Sequence, residues 1–283
     1  MLIICITFVL NYQRMDKLVI YCKSYNKDVY LAKRLLDSII KYNEDKLKFY
    51  ISVPSSDRLI FEEVLGTEGY TLIDDEEIDT ENNGHQGQQI VKSQFWKLGV
   101  CENYISIDSD CFFIKPFYTH DFMFNEDTPY TICHEYKHFF EFLQKHPYIK
   151  DDQPMNFDPY KSFVEEREYV MNLFDRKGVV YDFGPGPTIW SCKVWKSLQD
   201  NYITPHNLQF ADLIKSNPSE FTWYGEWLLH KQDIQLMPKG PIFKNYHYPY
   251  FYQYDKSLNY DEEKIKKLYL GIGMQSIYNF NEL

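Results

Sequence analysis

A chain of 283 residues is long enough to bury a core without disulfide staples, and it fits one large domain or two closely fused halves. Its formal charge of -11 argues against a surface for duplex nucleic acid, which needs clustered Lys and Arg to displace counterions from phosphates. The six cysteines, Cys5, Cys22, Cys101, Cys111, Cys133 and Cys192, are scattered with no Cys-X-X-Cys pair, which argues against a zinc site or a secreted framework and predicts reduced thiols in a cytoplasmic protein.

Leu2 to Leu10 is apolar but shorter than the roughly 20 residues that span a bilayer, and no basic residue precedes it. Residues 1–14 therefore read as an N-terminal extension, with 15–283 forming one domain and any membrane contact peripheral, at the inner face. Leu18–Cys22 is a short buried strand, and Asn26 caps a helix in which Leu31, Leu35, Leu36, Ile39 and Ile40 recur at helical spacing. Lys48–Val53 is the next strand, stopped by Pro54. Ser55 or Ser56 opens a second helix that ends at Gly66, and Tyr70–Ile73 is a third strand. The acidic stretch Asp74–Gly84 reads as a solvated loop, Gln88–Leu98 as a helix and the run from Tyr104 to Ile107 as a fourth strand.

This alternation predicts an α/β protein with a mostly parallel sheet flanked by helices, whose ligand site lies beyond the carboxyl ends of the strands. The second half is less regular. Thr131–Cys133 reads as a strand, Asp151–Tyr160 as a loop or lid, Lys161–Phe174 as a helix and Lys193–Gln199 as another. With no repeat or linker, the chain divides only into a nucleotide-binding half, 15–115, and an acceptor-facing half, 116–283.

Asp108-Ser109-Asp110 follows the apolar run Tyr104–Ile107 and precedes Cys111-Phe112-Phe113-Ile114. Alternate residues of an extended chain project to one side, so Asp108 and Asp110 can face one hard divalent cation and, through it, a diphosphate. The bland alternative is a turn that uses Asp and Ser as ordinary turn residues. An acidic protein that handles an anionic nucleotide needs such a metal in between.

Gly87-Gln88-Gln89-Ile90-Val91-Lys92 and Tyr104-Ile105-Ser106-Ile107-Asp108-Ser109-Asp110 together resemble the core of the GT-A glycosyltransferases, nearest to bacterial surface-polysaccharide (capsule and lipopolysaccharide) transferases. Tyr181-Asp182-Phe183-Gly184-Pro185-Gly186-Pro187 with Lys193-Val194-Trp195 resembles a glycogenin-like segment, from which it departs by its two prolines. The likeness runs from Leu18 to His247 in element order, and only these patches are sequence-specific. It implies a Rossmann-like GT-A fold, a nucleotide-sugar donor, a glycan or lipid-linked glycan acceptor, and Mn2+ or Mg2+ held by Asp110, with Asp108 on the metal or the donor ribose.

His247 is the candidate late metal ligand and His134 its rival, against the ordinary reading of a packed histidine. Lys92, with Gln88 and Gln89 on adjacent helical turns, is placed to meet the diphosphate or donor sugar, or else is an exposed helical lysine. Tyr21, Lys23, Ser24 and Tyr25, at the end of the first strand, are the candidate nucleobase and ribose contacts. In Trp223-Tyr224-Gly225-Glu226-Trp227, the tryptophans lie four apart on one face and suit a core. Glu226 lies off that stripe, as the acceptor base or as a helix-end Glu favoured by the dipole, with Asp182 the second candidate. A sugar-phosphate nucleotidyltransferase is the runner-up, weakened by the absence of glycine from Cys22-Lys23-Ser24-Tyr25-Asn26. The other alternative is a non-catalytic glycan-binding domain.

Overall fold

The computed structural model describes residues 15–80, 84–135, 137 and 159–276. Residues 1–14, read as an extension, and 151–158, read as a loop or lid, lie outside the described residues; Pro159 and Tyr160 open a helix instead.

The first half follows the expected alternation: β1 (Asp16–Lys23), α1 (Val29–Tyr42), β2 (Phe49–Val53), α2 (Arg58–Leu65) and β3 (Thr71–Asp74). Every residue of β1 from Leu18 to Lys23 is buried, as expected of a strand covered on both faces. Leu18, Ile20 and Cys22 enter one core with α1 and α2, while Val19 and Tyr21 enter another on the opposite face. Asn26 does not cap α1. It begins a 3-10 turn, Asn26–Asp28, and its backbone N–H donates to Asp57 Oδ2 at 2.8 Å.

Within Asp74–Gly84, expected as a solvated loop, residues 81–83 lie outside the described residues, and Asp75–Ile78 form a helical turn instead. Asp74 and Glu77 form a capping box around α3 (Asp75–Ile78), a reciprocal pair that satisfies two orphan N–H groups, and this turns Asp75 and Ile78 into the protein. Next come α4 (Gly84–Gln94), a 3-10 turn (Phe95–Leu98), β4 (Cys101–Ser106), β5 (Cys111–Phe113) and β6 (Thr131–Ile132). Then follow α5 (Pro159–Leu173), β7 (Thr188–Ser191), α6 (Cys192–Leu198), α7 (Phe210–Ser216) and α8 (Glu220–Lys231). The last elements are β8 (Pro238–Lys239), β9 (Phe243–Tyr246), α9 (Pro249–Ser257), α10 (Glu262–Ile265) and β10 (Gly271–Met274).

The main sheet has the order β3-β2-β1-β4-β7, parallel throughout except for β7, which runs antiparallel to β4 with Ile105 opposite Ile189. The predicted α/β class therefore holds. A second sheet, β5-β10-β9, grows from the chain just past Asp110 and pairs Phe112 with Ile272. Trp223 and Trp227 are core, each buried with its ring N–H bonded, to Asn217 O at 3.0 Å and Ser197 Oγ at 3.2 Å. Among the described residues five cysteines are free thiols, and no helix is long and apolar enough to cross a membrane.

Candidate active site

The chain leaves β1 toward β2 and β3, then returns to β4 on the other side of β1, so the carboxyl ends of β1 and β4 flank a topological switch point. The two ends are tied there. Ile107 N–H donates to Tyr21 O at 2.9 Å, and Ser109 Oγ donates to Asp28 Oδ2 at 3.3 Å. Asp108-Ser109-Asp110 turns between β4 and β5, with Cys111 N–H returning to Asp108 O at 3.1 Å. The triplet is thus a turn, not the extended segment from which same-side projection was argued.

The turn gathers charge all the same. Asp110 Oδ2 accepts from the Ser276 N–H at 3.0 Å, while the Asp110 carbonyl accepts from Met274 N–H at 3.2 Å and Arg34 Nη2 at 3.1 Å. Burial, reinforced by the charge of Asp108, pushes the Asp110 carboxyl up to about 7. Burial raises Asp28 as well, with Asp108 adding to it against the bond from Ser109.

Lys92 is not an exposed helical lysine. It is 5 % exposed, ion-paired to Asp108 Oδ1, and its Nζ stands 3.8 Å from Glu220 Oε1. Burial works to lower its pKa, but Asp108 and Glu220 outweigh that and hold it above its ordinary value, so Lys92 keeps its proton. Gln88 is half-buried. Gln89 is buried, with Nε2 at 3.3 Å from His85 Nδ1 and an Oε1 that has no hydrogen-bond partner.

The four residues expected at the nucleoside take four different environments. Tyr21 is a correction: its side chain is fully buried on the α4 face, stacked on Phe95 at 3.8 Å with its hydroxyl 2.8 Å from Ser52 Oγ, and cannot meet a ligand. Lys23 Nζ is held by Asp75 Oδ2 at 2.9 Å and Ser24 O at 2.8 Å. Burial raises Asp75 and Lys23 opposes that shift. Ser24 has a buried hydroxyl without a partner, and Tyr25 is exposed.

A loop from the second half faces Asp108. A Cβ placed on Gly186 would lie 3.9 Å from Asp108 Oδ2, and Asn245 Nδ2 donates to the Gly186 carbonyl at 2.9 Å. His247 follows β9, and burial lowers its pKa against the opposing charges of Asp182 and Asp108. That favours the neutral imidazole a metal would require. Among the described residues no three His, Cys, Asp or Glu side chains are placed to hold one metal ion together, so His247 does not complete a metal-binding triad with Asp108 and Asp110. His134 Nε2 donates to Gly184 O at 2.7 Å, which removes that nitrogen from ligation.

Glu226 is the second correction. It is wholly buried, and Arg176 takes both of its oxygens, Nε to Oε2 at 2.5 Å and Nη2 to Oε1 at 2.6 Å, so no carboxylate is offered to an acceptor. Asp182 is also buried. Its Oδ1 accepts from Arg167 Nη2 at 2.7 Å and from Gly184 N–H at 3.2 Å, while Oδ2 lies 3.8 Å from His134 Nε2.

The donor set fits a hard divalent cation. Mg2+ or Mn2+ takes one or two carboxylates, keeps water and completes its shell with substrate phosphates, so a pair such as Asp108 and Asp110 could serve one without a third protein ligand.

No protein-family model and no curated protein match this sequence. Among solved structures, apo mouse xyloside xylosyltransferase 1 superposes with a TM-score of 0.48 at 7 % identity, over 94 % of this chain and 99 % of that one. The apo bifunctional glycosyltransferase WbbM superposes with a TM-score of 0.47 at 11 % identity over 93 % of this chain, which spans 46 % of WbbM. Overlaps this loose fix neither family nor activity.

Several residues of the site escaped the sequence reading. Asp28 is five residues beyond Lys23 at the switch point, a position the strand-end rule could have flagged. Asp75 sits in a run of four acids of which only it turns fully inward, and the Asp74–Glu77 capping box was the available signal. Glu220 opens α8 behind the Ser219 cap, where an acid is expected for the dipole alone. Asn245 carries no motif.

Proposed function

We propose that this chain is a metal-dependent glycosyltransferase of the GT-A type that moves a sugar from a nucleotide-sugar donor to a glycan acceptor. The observation that supports it most is the gathering of Asp28, Asp108 and Asp110 at the switch point of a mostly parallel sheet, with a buried, protonated Lys92 on Asp108. In this reading Asp108 and Asp110 would hold Mn2+ or Mg2+, whose charge, when bound, would offset the negative charge of a nucleoside diphosphate.

Lys92 supplies a fixed positive charge beside the leaving group. Ser24, Tyr25 and the Lys23–Asp75 pair border the nucleoside. The bond from the anomeric carbon to the diphosphate oxygen breaks, a bond from the acceptor oxygen forms, and the acceptor proton passes to a carboxylate. Asp182, across the Gly184–Pro187 loop from Asp108, is the candidate base in place of Glu226. The likeness of Gly87–Lys92 and Tyr104–Asp110 to surface-polysaccharide transferases supports an acceptor of the capsule or lipopolysaccharide class, including lipid-linked glycans at the inner membrane face.

The test is incubation with a panel of nucleotide sugars, with and without Mn2+. Donor-specific hydrolysis or transfer that requires Mn2+ and is lost in Asp110→Ala, with folding intact, is the expected result. Full activity of Asp110→Ala, or release of pyrophosphate from a sugar phosphate and a nucleoside triphosphate, would overturn the proposal.

A further inference from the structure

The sheet β5-β10-β9 has a second side. Cys111 and Phe113 point into the main core, so Phe112 between them points away, into a small separate cluster with Tyr246 and Ile272. Between this side of the sheet and α9–α10 lies a cavity of about 520 Å3, within the range of roughly 300–1,000 Å3 usual for ligand sites.

Four aromatic residues, Phe112, Tyr246, Tyr252 and Tyr260, line it. The rings are held in place before any ligand arrives. Tyr252 meets Tyr246 edge-on at 5.3 Å, the Tyr246 hydroxyl donates to Asp255 Oδ2 at 3.0 Å, and Lys244 pairs with the same Asp255 oxygen at 2.7 Å while lying over the Tyr260 ring at 5.5 Å. Phe112 is backed by Arg34, whose guanidinium lies 4.2 Å from the ring centre and whose Nη2 donates to the Asp110 carbonyl. Met274, also on the cavity wall, donates its N–H to that same carbonyl. The aromatic wall and the Asp110 turn are therefore one connected piece.

The polar lining residues Lys256, Asn259, Asp261 and Glu262 are all exposed. Aromatic faces beside amide and carboxylate groups match a pyranose, which presents apolar C–H faces and a girdle of hydroxyls. The rim carries both signs, Asp261 and Glu262 against Lys256, with Glu262 also paired to Lys266 at 2.9 Å, which suits a neutral ligand, and a charged rim is a poor host for an acyl chain.

We propose that this cavity is a saccharide subsite for a neutral glycan, distinct from the Asp108–Asp110 end and adjoining it, which seats the acceptor's sugar units remote from the transferred bond. Its role in transfer rests on the glycosyltransferase reading, whereas the binding itself does not. The experiment is binding of the full chain to an array of neutral α- and β-linked hexose oligosaccharides, with Tyr252→Ala, Tyr260→Ala, Tyr260→Phe and Asp110→Ala alongside, and thermal melts to establish that each variant is folded.

The expected result is selective binding that falls tenfold or more in Tyr252→Ala and in Tyr260→Ala and persists in Tyr260→Phe because the ring remains. Equal binding by wild type, Tyr252→Ala and Tyr260→Ala, or no binding to any glycan on the array, would overturn the subsite. Donor hydrolysis by Asp110→Ala tests the function separately, so either idea can fall while the other stands.

Discussion

Arg176 closes over Glu226 with two parallel charge-assisted hydrogen bonds, in a place where the carboxylate has no exposed surface. A buried pair of this kind is costly to break from one side, because the remaining charge loses its partner without gaining water. Arg176→Ala should therefore cost about 3–5 kcal/mol of stability, and Glu226→Gln a substantial loss that removes the charge from the same contact. If Glu226 instead served as acceptor base, Glu226→Gln would lower kcat while leaving the urea midpoint and the melting temperature unchanged. Parallel melts and rate measurements on the two variants decide between these roles.

Glu220 opposes Lys92 from the start of α8, and burial, stronger than the attraction of Lys92, raises its carboxyl from 4.5 to about 7. An acid with a raised folded-state pKa holds a proton that the unfolded chain has already released. Its contribution is thus most favourable below the unfolded value and is lost as pH rises through the folded one. Relative to Glu220→Gln, the wild-type protein should lose stability between about pH 4.5 and about pH 7, by a few kcal/mol in total, and show no further difference outside that window. Urea unfolding of both proteins across this range measures the difference, and a flat difference would refute the assignment.

The parts of the molecule governed by local periodicity were legible before the fold was known. Leu31 to Ile40 at helical spacing, the buried run Leu18–Cys22 and the Gly66 stop each follow from one segment of chain. Asp108 and Asp110 were legible because a motif at a strand end has a defined place in a parallel sheet. What could not be read was partnership. Tyr21 and Lys23 lie on one face of β1, with Ser24 just past its end, yet Tyr21 stacks on Phe95 in the core while Lys23 pairs with Asp75. Glu226 needed Arg176, fifty residues earlier, to become structural. Those pairings are tertiary, and no local pattern encodes them.

Gly225 on α8 is a close approach between helix and loop: a Cβ there would stand 2.1 Å from the Phe183 ring. Phe183 lies between Asp182 and Gly184, so moving it moves the candidate base and the loop that faces Asp108. Gly225→Ala favours the isolated helix but overpacks this contact, at a cost of about 1–3 kcal/mol. Activity should fall further than the stability loss accounts for, at a temperature where the variant is fully folded. Retained activity at full stability would mean the ring can shift without disturbing Asp182.

Asp110 offers the most direct measurement on the candidate metal site. A ligand that binds only the native state stabilises it by RT ln(1 + [L]/Kd), about 2.7 kcal/mol at a hundredfold excess over Kd. Nucleoside diphosphate with Mn2+ should therefore raise the melting temperature of the wild-type protein by several degrees, whereas either component alone should do much less, because each supplies part of the other's coordination or charge balance. Asp110→Asn keeps the size of the side chain and its bond from the Ser276 N–H, since the amide carbonyl still accepts, and removes only the charge. It should lose the joint shift while keeping its own melting temperature within a few degrees of wild type. EDTA should abolish the wild-type shift reversibly. A joint shift that survives in Asp110→Asn would move the metal away from this turn and leave Asp110 as a structural carboxylate.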